Sequence, residues 1–462
     1  MMRLNREREI IRRARLAGMS RREFIRLGGT VAAAAAFLAA CGDDAAPTTT
    51  AAPATTAAPA TTAAPTTTAA PDSDEIGGEI TLWAWGAGLE GEVIQQRIDY
   101  FNSKYPNVTV NWEPLAANGY EEYPQLLARF AAGNAPDVMR MLNFQLTQLT
   151  AEGEALLQID DYIARDAEEL DMGDFIPTTV EGTLVNGKAY GMPDNTEPYV
   201  IYYNRDAFTA AGLEDPQVLF QNGEWNEEAF TNSIDALIGN GMRFGVSFES
   251  WNYDTFCFMG GGTIINEALE PTIHQGASPQ MLGYFAKLIE DGKSPSPVVA
   301  GGTHVEAFRN QQTGMYLMGP WWYGALAGTV DFDYDVTALP SFNGVRAGKL
   351  ELGTISISSQ SENPEAAWAF TKTITDTRGL EIWSQVATPT RRSSLEIAGF
   401  NDVQWKKDAV AMVEAGTWTP FTTEGFAVDT AAGAALDLLW AGEATAEEAT
   451  QDAANRIAEA LA

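Results

Sequence analysis

Gly86, Gly88 and Gly91 stand in the spacing G-x-G-x-x-G, and Glu113 follows 22 residues after the last of them. Glycines so spaced between a strand and a helix let a backbone approach a pyrophosphate, and an acid about 20 residues on can hold a ribose hydroxyl. A loop at the carboxyl end of a first strand is also where an open α/β sheet receives any small ligand, so the pattern leaves both uses open. Other chemistries find less support. His274 and His304 are the only histidines, and neither sits in a cluster of ligating residues, so no metal site is expected. Asp331-Phe332-Asp333-Tyr334-Asp335 opens like a calcium loop, but Val336 stands where the turn needs glycine and Phe342 where it needs glutamate. Alternating Phe332, Tyr334 and Val336 read instead as a strand with a wet acidic face. There is no G-x-S-x-G and no G-x-x-x-x-G-K-[ST]. The 62 acids neither single out nor exclude a carboxylate pair for glycoside hydrolysis. No catalytic residue, resident cofactor or metal is assigned.

Those acids face 29 bases, for a formal charge of −33. Nine arginines lie within residues 1–40, so the remainder carries 20 bases against 59 acids. A body that acidic repels phosphate backbones, and nucleic acid is not an expected partner. Of the two cysteines, Cys257 lies among Phe256, Phe258 and Met259 and reads as a buried thiol. The other, Cys41, belongs to an address. Ser20-Arg21-Arg22-Glu23-Phe24-Ile25-Arg26 resembles the twin-arginine export consensus, and the apolar stretch Leu27 to Ala40 follows. That stretch is too short to span a bilayer, which takes roughly 20 residues, and suits a signal segment. It ends in Leu38-Ala39-Ala40-Cys41, which resembles a lipobox and implies lipidation at Cys41. Ala45 to Pro71 is almost entirely Ala, Thr and Pro, with nothing to bury, and reads as a disordered tether. At ~3.1 Å per residue it could reach about 80 Å. The expected location is the outer face of the cell membrane.

With 462 residues and 45% hydrophobic side chains, the chain has material for more than one lobe. Ile80 to Trp85 reads as a strand, Glu92 to Ser103 as a helix and Val108 to Trp112 as a second strand, which is a βαβ unit of a parallel sheet. Asn363-Pro364-Glu365 is a helix start with proline at its first position, and Thr445-Ala446-Glu447-Glu448 is a capping box. The fold class expected is α/β in two lobes.

Seven segments in order carry a resemblance covering nearly all of residues 79–461. They begin with Ile80 to Gly86, Phe101-Asn102-Ser103-Lys104-Tyr105-Pro106 and Ala132 to Val138. Tyr190-Gly191-Met192-Pro193 follows, running on to Tyr202-Tyr203-Asn204-Arg205, and then Gly314 to Trp321. Ser361 to Trp368 and Pro389-Thr390-Arg391-Arg392-Ser393 complete the series. Together they resemble the extracytoplasmic solute-binding proteins of ABC importers, in the sugar-binding group that includes maltose-binding protein.

The resemblance implies a two-lobed periplasmic-binding-protein-like fold of type II, with the ligand in a cleft between lobes joined by hinge segments. One lobe would take residues 76–198 and 353–395, the other residues 199–352 and 396–462, after a signal at 1–40 and a tether at 41–75. It also implies a monomeric receptor that delivers a sugar or oligosaccharide to membrane permease subunits, without catalysis. The site carried over comprises Trp85, Asn143, Asn195, Glu197, Trp251, Trp321, Trp322 and Arg391. Ala87, Gly88 and Phe144 stand where the family carries charged residues, which leaves the particular sugar open. Sugar chemistry fits that set independently, because aromatics stack on pyranose faces while planar polar groups meet the hydroxyl rim. Each aromatic has a competing use in a core. The rival readings are an exported NAD(P)-dependent oxidoreductase using the glycine loop and an extracellular glycosidase.

Overall fold

The computed structural model describes residues 71–86, 88–115, 123–151, 155–298, 304–420 and 422–462. The twin-arginine segment, Cys41 and nearly all of the tether lie outside the described residues.

The described residues form eleven strands: β1 (Gly78–Trp85), β2 (Val108–Leu115), β3 (Val138–Leu142), β4 (Leu184–Val185), β5 (Lys188–Ala189), β6 (Met192–Pro198), β7 (Val200–Asn204), β8 (Phe244–Phe248), β9 (Thr313–Met318), β10 (Tyr334–Thr337) and β11 (Leu350–Ile357). They form a five-stranded sheet, β2-β1-β3-β11-β6, a four-stranded sheet, β10-β7-β9-β8, and the small hairpin β4-β5. The expected βαβ unit is present: β1 pairs parallel with β2 across the helix Leu89–Lys104. The sheets are mixed, however, because β11 runs antiparallel to both β3 and β6, and β7 runs antiparallel to β9 and β10. Non-local returns made those pairings invisible to local periodicity.

Each sheet has its own core. Ile80, Leu82, Phe101, Ile355, Trp368, Phe370 and Trp383 pack on the first. Phe230, Phe248, Phe256, Phe285, Leu317, Trp440 and Ile457 pack on the second. Both belong to one compact unit. The capping box at Thr445 forms with Glu448, and Ala449, Ala453 and Ile457 are buried below it. Pro364 begins its helix as expected, but the Asn363 amide donates to the Glu79 carbonyl rather than capping that helix. Cys257 is buried, and burial pushes its thiol pKa up. Tyr334, Asp335 and Val336 lie in β10, in line with a strand rather than a calcium loop.

The chain moves from the first sheet to the second between Pro198 and Val200, with Tyr199 alone between the two strands. It leaves the second sheet after Thr337 and has rejoined the first by Leu350, which pairs with Pro198. The helix Gln404–Ala415 then returns to the second sheet, where the Thr337 hydroxyl donates to Asp408 at 3.0 Å.

Candidate functional site

Strand ends and turns from both sheets border a cleft of about 1300 Å³. On the first wall the organising residue is Arg140, the single charge in the apolar strand Val138-Met139-Arg140-Met141-Leu142. Its guanidinium donates to Asp194 Oδ2 at 2.9 Å, to Glu90 Oε1 at 3.0 Å and to Asn195 Oδ1 at 2.8 Å. It also lies between two indoles, 4.1 Å from the Trp85 ring and 4.5 Å from that of Trp383. Asp194 is fully buried and also accepts from Arg97 at 2.5 Å, so one carboxylate is shared by two guanidinia.

This arrangement fixes Asn195. With its carbonyl oxygen taken by Arg140, its amide nitrogen donates to Glu197 Oε1 at 3.3 Å. The Thr388 backbone N–H donates to the same Glu197 oxygen at 3.2 Å. Glu197 lines the cleft but is well buried, and desolvation pushes its pKa up to about 8. Glycine at 353 makes room for the Asn195–Arg140 contact, since a Cβ there would clash with Asn195 Oδ1. Asn143 also borders the cleft; its amide nitrogen is buried and has no hydrogen-bond partner among the described residues.

The opposite wall is aromatic. Trp251 sits in the turn Ser250–Asn252 and is 47% exposed, while Trp321 is 37% exposed and Phe426 58%. Large apolar side chains this open border the cleft in a body whose other large aromatics are mostly buried. Trp321 packs edge-on against Tyr199 at 5.9 Å, which braces its ring. It forms the N-cap of the helix Trp322–Leu326, so that helix begins two residues after Pro320. Trp322 borders the cleft too, while it packs against a buried cluster that includes Tyr202, Phe308 and Tyr316 and lies under the Arg309 guanidinium at 5.4 Å. Around these rings stand Asp254, paired with Lys349 at 3.0 Å, and Asp429, which accepts from the Tyr253 hydroxyl at 2.8 Å. Burial raises the pKa values of Asp254, Glu249 and Glu351, and also that of Glu90 on the first wall.

Seven of the eight residues singled out from the sequence therefore border one cleft: Trp85, Asn143, Asn195, Glu197, Trp251, Trp321 and Trp322. Arg391 does not. Its guanidinium is buried, donating to the carbonyls of Thr375 and Leu170 at 2.7 Å each and lying 3.8 Å over the Phe175 ring. It ties loops together and is not among the residues bordering the cleft. Sequence reasoning missed Arg140, whose only signal was a charge inside an apolar strand, and Phe426, which reads as part of a helix face.

The glycine loop also has a packing explanation. A Cβ at Gly86 would lie 2.7 Å from Ile94 and 3.2 Å from Trp112, and one at Gly91 would lie 3.1 Å from Trp112. These glycines accommodate the Trp112 indole, whose N–H donates to the Ala84 carbonyl at 3.2 Å. Glu113, the candidate ribose ligand, pairs with Arg129 instead.

Residues 86–380 match the family model described as bacterial extracellular solute-binding protein. The chain belongs to that family. Among solved structures, this solute-binding protein is similar to the ABC substrate-binding protein Lmo0181 of Listeria monocytogenes, described in complex with cycloalternan. That likeness has 22% identity and a TM-score of 0.72, and it covers 82% of this chain and 98% of the other. It is 24% identical over 309 residues to the galactooligosaccharide-binding protein of Bacillus subtilis, covering 64% of this chain and 68% of the relative. A binding protein of Brucella abortus is 23% identical over 277 residues, covering 58% of this chain; the match spans 64% of that relative's length. The two-lobed fold expected from the sequence is the fold of these neighbours.

Proposed function

We propose that this solute-binding protein captures a sugar or oligosaccharide outside the cell and delivers it to an ABC transporter permease, held to the membrane by a lipid on Cys41 after twin-arginine export. The observation that carries the reading is the division of the cleft. Open indoles at Trp251 and Trp321 offer flat apolar faces, while Asn143, Asn195 and Glu197 offer planar polar groups opposite. A pyranose has apolar C–H faces and a polar rim, so it can meet both walls at once. A volume of about 1300 Å³ suits an oligosaccharide better than a single ring. The relatives' names point the same way, to a cycloalternan complex and to galactooligosaccharide binding.

A thermal-shift screen against neutral oligosaccharides, amino sugars, uronates and phosphoesters tests this. A concentration-dependent rise in Tm with one or more neutral sugars is expected. Stabilisation by nicotinamide cofactors alone, or release of reducing ends from oligosaccharide, would replace the reading with one of the enzymes. Membrane association rests on a separate observation. Cys41→Ala should leave the membrane fraction, and retention there would remove the lipid anchor from the account.

A further inference from the structure

Glu197 and Glu351 are direct partners in the antiparallel ladder between β6 and β11. Directly opposed residues share one face with Cβ atoms about 4.5–5.5 Å apart, and like charges so placed repel. Both residues border the cleft, beside the passage from the first sheet to the second. No ion pair to Glu197 is present among the described residues, although a guanidinium is near. Arg140 spends its donors on Asp194, Glu90 and the Asn195 carbonyl oxygen. What Glu197 receives is two long hydrogen bonds, both on Oε1, from uncharged N–H groups.

The two carboxyls are not equivalent. Glu351 accepts from the Tyr199 hydroxyl at 3.4 Å, and Lys349, just ahead of β11, stands near it. Its charge is the better supported of the two. The groups facing Glu197 are Glu351 from β11, Arg140 from β3, the Tyr202 hydroxyl from β7 and the Thr388 N–H from the loop after Trp383; Asp194, on its own strand, is held by two arginines. Beyond Glu351 lie Lys349, Asp254 and Asp429. None supplies a cation committed to Glu197.

We propose that Glu197 meets the ligand as a neutral carboxylic acid, donating its O–H to a ligand oxygen, while the opposed Glu351 carries the pair's negative charge. This rests on the reading of the cleft as a sugar site. It goes further by assigning the site a hydrogen-bond donor where the side chain's name suggests an acceptor. An acid aimed at the ligand selects for hydroxyl, ether or acetal oxygens and against ligand groups that only donate. It also spares the crossing between the sheets a second buried charge. The consequence to measure is that tight binding requires the proton. Burial holds Glu197 at about 8, so affinity should be level near pH 6 and fall by about 30-fold by pH 9.5.

Two measurements test this. In the ligand-free protein, infrared difference spectra between pH 6 and pH 9.5 should contain a protonated-carboxyl band that Glu197→Gln abolishes and Glu351→Gln shifts to a lower titration midpoint. Absence of that band would overturn the proposal. Calorimetric titration with maltotriose, which does not ionise in this range, should give the 30-fold fall in the wild type. In Glu197→Gln, which keeps a donor and cannot ionise, the ratio should shrink to within about twofold. An undiminished ratio in that variant, or loss of its maltotriose binding at both pH values, would equally overturn the proposal. Failure of every neutral sugar of the panel, maltotriose included, to bind the wild type would count against the sugar reading, and the ligand-free band would still decide the proton.

Discussion

Trp321 and Arg391 were singled out together from the sequence, and the structure separates them by what each side chain touches. Trp321 stands open to the cleft, braced by Tyr199 and packed over Gly319. Stacking on a sugar face is worth about 0.5–1.5 kcal/mol beyond burial. The lost apolar area adds roughly 25 cal/mol per Å², so Trp321→Ala should weaken sugar binding by about 2–4 kcal/mol. That is on the order of 30- to 1,000-fold in Kd, with little change in unfolding free energy. Calorimetry and denaturant unfolding of the same sample separate the two, and a stability loss with affinity intact would return Trp321 to the core. Arg391 should behave in the opposite way. Removing a buried cation takes its donors from the carbonyls of Leu170, Asp171 and Thr375 and breaks the ion pair with Asp174, so Arg391→Ala should destabilise by about 3–5 kcal/mol. Folded protein should bind as before; a selective loss of affinity would put Arg391 back in the site. An arginine in a loop reads identically in sequence whether it points at solute or at carbonyls. Trp251 and Trp321 were legible because each falls at a matched position and borders the cleft at a turn. Arg140 was not, because its value lies in partners more than 50 residues away along the chain.

At the level of elements, the βαβ start and the helices opened by Pro364 and capped by Thr445 could be read from local pattern, since their signals are contiguous. The pairing of β11 with β3 and β6 could not. The ladder to β6 joins residues roughly 150 positions apart and the one to β3 more than 200, and only the register places Glu351 opposite Glu197. Glu197 itself was anticipated; its environment was not. The consequence for stability follows from linkage. The folded pKa of about 8 lies above the ordinary value of 4.5, so the folded state binds more protons in that window. The contribution of Glu197 to stability is therefore fully present below about pH 4.5 and is lost as pH rises towards 8. Glu197→Gln cannot ionise and escapes that loss. Its Tm relative to wild type should climb steadily from pH 5 to pH 8, and a constant difference across that range would show that Glu197 is ionised throughout.

For the whole molecule, the decisive feature is that the wall carrying Glu197 and the wall carrying Trp251 and Trp321 belong to different sheets, while Tyr199 alone separates β6 from β7. A cleft with its polar and aromatic surfaces on separate bodies is completed only when both touch the ligand. If ligand binds a closed arrangement better than an open one, that difference in affinity can drive closure. The passages available to flex are few. One lies at Tyr199, a second between Thr337 and Leu350, and a third ahead of the helix Gln404–Ala415. Such crossings absorb a rotation in a few backbone dihedrals without repacking either core. Solution scattering on residues 71–462 should therefore show a smaller radius of gyration with a saturating sugar from the panel, at unchanged molecular mass. The same sugar with Trp321→Ala, at a concentration that saturates only the wild type, should leave the open profile. Superimposable profiles for free and saturated wild type would mean that the two walls already stand at their binding distance, and that any signal to a permease comes from something other than closure.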